Sequence, residues 1–168
     1  MPLLSLLDRV SDAIGQLAGW IFFAIGLALT YDVCARFLFL SPTSWAGDVS
    51  TILQVWAVYL AMAYVLRTRS LIRITAFVRL GSPTMRKAAD AFSLLLIGVF
   101  SGLMAWYSLQ IVMESIEQGR RAATMIETPT WVPEIAIPIG FMLLLLQCLA
   151  ELARVAARPA PAFDEEEV

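Results

Sequence analysis

Four long apolar stretches dominate this 168-residue sequence, at roughly Ile14–Phe39, Trp45–Leu66, Ala91–Met113 and Val132–Ala157. Each exceeds the ~18–20 residues a helix needs to cross a hydrocarbon core about 30 Å thick. Hydrophobic residues make up 60% of the chain, and the mean hydropathy is +0.76. These observations define an all-α integral membrane protein with four transmembrane helices. Little sequence remains for a soluble catalytic domain, so no enzymatic activity is expected.

The distribution of Lys and Arg gives the orientation. Between spans two and three lie Arg67, Arg69, Arg73, Arg79, Arg86 and Lys87. The connection Leu40–Asp48 has no basic residue, and the one before span four has only Arg120 and Arg121. Arg9 lies near one terminus and Arg154 and Arg158 near the other. The positive-inside rule then predicts N- and C-termini and the middle loop in the cytoplasm. Span one reads as an uncleaved signal anchor, because its apolar run is longer than that of a signal peptide.

The predicted organisation is a single four-helix membrane domain over residues 1–158 and an acidic, disordered tail over 159–168, with Asp164-Glu165-Glu166-Glu167 near its end. Leu3, Leu4, Leu6, Leu7, Val10 and Ile14 alternate with Ser5, Asp8, Arg9, Ser11 and Asp12 at helical period, which predicts an amphipathic interfacial helix over 2–13, the alternative being a simple extension of span one. A second is predicted over 72–80, ended by Gly81. Pro42 breaks the chain after span one, and Thr43 or Ser44 is placed to cap the next helix, with Asp48 in its first turn. Pro129 and Pro133 are expected to prevent regular helix before span four, and Pro138 to kink or weaken its first turns.

Few residues could carry chemistry. The absence of His removes bis-His haem, most zinc sites and imidazole acid–base catalysis, and no cofactor or metal is expected. Cys34 and Cys148 are set at depths ~15 Å apart, too far for a disulfide. Asp32 and Arg36 lie four residues apart on one helix face, which suits an ion pair fixing a helix or subunit contact. Gln54 is expected to hydrogen-bond across helices. Trp45 and Trp131 fall at the outer boundary, while Trp56 and Trp106 are deeper and expected to pack against protein. Gly15, Gly19 and Gly26 leave a thin face on span one.

The segment Arg36-Phe37-Leu38-Phe39-Leu40-Ser41-Pro42-Thr43-Ser44-Trp45, followed by Asp48 and Trp56, resembles the small DctQ-like membrane subunit of tripartite ATP-independent periplasmic (TRAP) transporters. Arg67 and Arg73 match the basic residues after span two, and Thr128-Pro129-Thr130-Trp131 through Ile137-Pro138-Ile139-Gly140 matches the approach to span four. Gly47, Leu71 and Thr75 depart from that pattern. The resemblance implies a multi-pass subunit of the bacterial inner membrane. Its partners would be a large permease subunit, a periplasmic substrate-binding protein and membrane lipid, with no nucleic acid. Uptake of an organic acid, a carboxylate or sulfonate, would be sodium-driven. Subunit-contact or structural roles then fall to Asp32, Arg36, Trp45, Asp48, Gln54, Trp56, Trp131 and Pro138. Docking of the binding protein would fall to Glu117, Arg120 and Arg121.

Two other classes are weighed against this. A small homodimeric proton-coupled multidrug exporter would use Asp32, but that carboxylate is near a span end and four residues from a cation. A quinone-linked membrane enzyme would want His, paired Cys or more buried charge.

Overall fold

The computed structural model describes residues 2–41, 43–68, 83–124 and 126–157. Its helices are α1 (Pro2–Leu38), α2 (Ala46–Arg67), α3 (Pro83–Glu117), α4 (Trp131–Glu134) and α5 (Ala136–Ala157). Segments Leu7–Leu38, Ala46–Arg67, Ala88–Glu117 and Trp131–Val155 are long and apolar enough to cross a membrane. The sequence-derived helix over 72–80 and the tail over 159–168 lie outside the described residues.

The helices form an open row. α1 packs along α2, α2 along α5 and α5 along α3, while α1 and α3 share no extensive contact. The spatial order is therefore α1–α2–α5–α3. Small side chains fill the seams. Ala18, Ala35, Ala46, Ala57, Ala63, Ala136 and Ala150 are all buried. On α3, Leu94, Ser101, Ser108 and Ser115 recur every seven residues and are buried. Ser101 and Ser108 donate back to the carbonyls of Ile97 and Met104, so their hydroxyls cost nothing against the neighbouring helix. Lipid tails are as apolar as leucine, so close van der Waals approach through small residues holds such helices together. A compact apolar core joins Leu66, Leu94 and Cys148, with Ile97, Leu144, Leu152 and Val155 around it. Cys148 also donates to the Leu94 carbonyl at 2.8 Å.

The expected boundary at Ala13 does not exist. α1 is one helix of 37 residues, about 55 Å long at ~1.5 Å per residue, so it extends well past the hydrocarbon core. No proline or turn interrupts Ala13–Gly15. The polar face of the first turns is also used inside the protein, with Ser11 buried and Val10 40% exposed.

Helix ends follow local chemistry. α3 closes on Gly119 at φ +58, with Arg120 N–H on the Ser115 carbonyl at 3.2 Å. α1 also ends on a left-handed residue, here Leu40 at φ +51, with Ser41 N–H on the Ala35 carbonyl six residues back at 3.2 Å. A bulky residue there costs roughly 1–2 kcal/mol relative to glycine. Before span four the expected irregular stretch is partly helical. Pro133 is accommodated in the first turn of α4, where its N–H would be unpaired anyway. Pro138 lies in the first turn of α5 and lacks the N–H that would reach the Glu134 carbonyl. The break accordingly falls at Ile135, between the two helices.

Of the glycines on α1, only Gly15 is closely approached, by the Tyr64 ring. Gly19 and Gly26 face open space. On α5, Gly140 lies directly against the backbone of Tyr59.

Candidate functional site

The polar groups gather at the two ends of the row. At the end holding the α1–α2 connection, Asp32 is 14% exposed and Arg36 60% exposed, with Arg36 Nη2 3.1 Å from Asp32 Oδ2. The pair expected from sequence is present, yet Asp32 is the hub. Its Oδ1 also accepts the Thr43 N–H at 3.1 Å and a short bond from the Thr43 hydroxyl. Thr43 is thus tied back to α1, and neither it nor Ser44 caps α2. The N-cap position is Trp45, with no side-chain cap bond. Trp45 stacks on Tyr31 at 6.5 Å between ring centroids. Asp32 therefore sets the path of the connection into α2. Removing its carboxylate in Asp32→Ala is expected to loosen this turn and increase protease cleavage between Leu40 and Trp45. Arg36→Ala is expected to leave cleavage near wild type, because an exposed ion pair is worth about 0–1 kcal/mol.

Three further contacts assemble this end. Asp48, in the first turn of α2, accepts the Ile126 N–H at 3.2 Å. Trp56 Nε1 donates to the Val132 carbonyl at 3.1 Å, joining α2 to α4. Ser115 and Thr130 hydroxyls meet at 2.6 Å, joining α3 to the residue before α4. The segment after α3 folds back on itself, with Ala122 N–H on the Thr128 carbonyl and Thr130 N–H on the Arg120 carbonyl. Glu117, Arg120 and Arg121 are all exposed there. Arg120 is engaged by Glu114 at 3.2 Å and by Gln118 at 2.8 Å. Trp131 is 39% exposed and Pro138 is buried. Trp106 departs from expectation: it is 64% exposed on α3 and does not pack inside the protein.

The opposite end carries a cluster that the sequence reading missed. Arg67, the last residue of α2, approaches Asp8 at 3.3 Å, pairs closely with Asp12 and donates to the Asp8 carbonyl at 2.9 Å. Arg154 on α5 meets Asp8 at 2.6 Å and Glu151 at 2.5 Å. Ser11 donates to the Gln147 amide oxygen at 3.1 Å, and both residues are buried. Asp8 thus ties α1 to α2 and α5 together. The signal was the i,i+4 spacing of Asp8 and Asp12 and the i,i+3 spacing of Glu151 and Arg154, all at helix ends that this topology brings to one depth.

Gln54 makes no cross-helix bond within the described residues; it is exposed on α2.

This is a multi-pass membrane protein whose polar side chains mostly fasten its own helices at the two ends. The family model for tripartite ATP-independent periplasmic transporters, DctQ component, matches residues 25–158. The chain belongs to that family, and is thereby a small TRAP-transporter subunit and an integral component of the inner membrane. A search of curated proteins finds no match.

Proposed function

We propose that this chain is the bracing subunit of a sodium-driven, binding-protein-dependent TRAP transporter for an organic acid, a carboxylate or sulfonate. It holds the large permease subunit at a fixed depth and orientation. The Asp8–Arg67–Arg154 end faces the cytoplasm, in keeping with the basic residues clustered there, and the Asp32–Trp131 end faces the periplasm. At that outer end Glu117, Arg120 and Arg121 contact the binding protein. The observation that carries the bracing role is the open row pinned at both ends. α1 and α3 leave Trp20, Phe23, Leu27, Phe92, Leu103 and Trp106 largely uncovered, an apolar surface open to the permease or to lipid. Asp32, the ionisable centre an exporter would need, is instead committed to Thr43 and Arg36.

Affinity purification of the tagged chain from native membranes, followed by mass spectrometry, tests this. A near-stoichiometric multi-span permease is expected, with organic-acid uptake by membranes that depends on both chains, the binding protein and a sodium gradient. A homo-oligomer without permease would overturn the reading.

A further inference from the structure

One face of the row is grooved. α2 and α5 form its floor, and α1 and α3 its walls through Phe22 and Ile97. The cavity measures about 450 Å³ and is lined almost wholly by apolar atoms, including Val58, Met62, Val65 and Leu144. At 100° per residue, Gly47, Thr51, Gln54, Val58, Ala61 and Val65 share one stripe of α2. The stripe thus carries the groove-lining face of α2 on toward the Asp48 end, beyond the residues that line the cavity itself. Open space lies over Gly47, and the Thr51 hydroxyl is satisfied by the Gly47 carbonyl at 2.9 Å. Gln54 is left as the exposed polar side chain on this stripe, with no hydrogen bond to any described residue.

Its depth makes that exposure informative. Gln54 lies two turns inside the start of α2, about 12 Å along the axis. An amide facing hydrocarbon without a partner costs several kcal/mol, so lipid tails alone are a poor cover for this stripe. A second copy of this chain is also a poor fit. A two-fold contact needs a self-complementary surface, and two concave faces do not fill one another. A single helix, about 10–12 Å across with its side chains, does fill a trough between two helical walls.

We propose that this groove seats one transmembrane helix of the large permease subunit, which presents a polar side chain or a freed backbone carbonyl to Gln54. The proposal rests on the reading of the chain as a TRAP small subunit. Small residues at Gly47, Thr51 and Ala61 allow close approach along the stripe, and Gln54 fixes the register.

The test uses the full chain co-expressed with its permease in native membranes. Wild type is purified beside Val58→Trp, Gln54→Leu and Met142→Trp, the last on α5 two residues from Leu144 and so on its opposite side. Val58→Trp is expected to cut co-purified permease about tenfold (~1.4 kcal/mol). Gln54→Leu is expected to cut it about threefold, the size of an average interhelical hydrogen bond in a membrane. Met142→Trp should match wild type, and all variants should melt like wild type when purified alone, because all three positions are exposed. Benzoylphenylalanine placed at Val58 should photocrosslink to the permease. Crosslinking to a second copy of this chain, or to lipid only, would overturn the groove assignment while wild-type co-purification left the TRAP reading standing. Permease absent from the wild-type sample would overturn both.

Discussion

Gly140→Ala is expected to lower the melting temperature of the purified chain, whereas Gly19→Ala and Gly26→Ala are expected to raise it. A Cβ at this position would sit 2.6 Å from the Tyr59 carbonyl oxygen and 2.9 Å from its carbonyl carbon. Both are backbone atoms, so no rotamer change relieves the overlap, and α2 and α5 must separate. Overpacking of this kind costs roughly 1–3 kcal/mol. The separation would also disturb the edge-to-face contact of Tyr59 with Phe141, 5.8 Å between centroids, and the nearby Trp56–Val132 hydrogen bond. Gly19→Ala and Gly26→Ala provide the comparison. Nothing lies within 4 Å of a Cβ at either, and alanine is favoured over glycine in a helix by ~1 kcal/mol. Thermal unfolding in mild detergent should therefore move in opposite directions for Gly140 and the other two. Equal behaviour of the three variants would remove the close α2–α5 crossing from the account.

Asp8→Ala is expected to be the most damaging removal of a charge. The carboxylate is shared by Arg67 at 3.3 Å and Arg154 at 2.6 Å, and the side chains concerned are only 18–24% exposed. Truncation leaves Arg67 to Asp12 and Arg154 to Glu151, and no ionic bond then joins α1 to α5 among the described residues. Breaking a fully buried pair costs about 3–5 kcal/mol, so about 2–3 kcal/mol fits this partly covered cluster. Asp8→Asn should fall between, since an amide oxygen still accepts from one guanidinium. Denaturant titration of the three proteins would show this order. An Asp8→Ala curve that overlies wild type would mean that Asp8 does not hold the three helices.

The sequence was most informative where one physical rule acts alone. Hydrocarbon thickness sets span length, so the apolar stretches located all four spanning helices to within a few residues at most ends. Asp32–Arg36 was legible because i,i+4 neighbours meet on any helix. What hid was pairing between elements. Asp8 could have met any of Arg67, Arg69, Arg73, Arg79, Arg86, Lys87 or Arg154, and charge alone does not choose among them. Thr43 read as a helix cap because its local alternatives were visible, while the carboxylate eleven residues earlier that claims it was not. The seven-residue recurrence of Ser101, Ser108 and Ser115 was present in the sequence as the seam of α3. It went unread because serine on a membrane helix marks either a packed face or a cavity, and spacing does not separate the two. Trp106 was misplaced for a related reason. A deep tryptophan was taken to need protein around it, but α3 stands at the edge of a row and has a bare flank.

The row order α1–α2–α5–α3 does not follow the order of the chain. The hairpin of α1 and α2 emerges from the ribosome first, and α3 follows with no lasting partner until α5 arrives to join the two. Half the groove floor comes from α5, so no seat for another helix exists until α5 has been made and has packed between α2 and α3. A chain stopped before α5 would offer no finished groove to a partner.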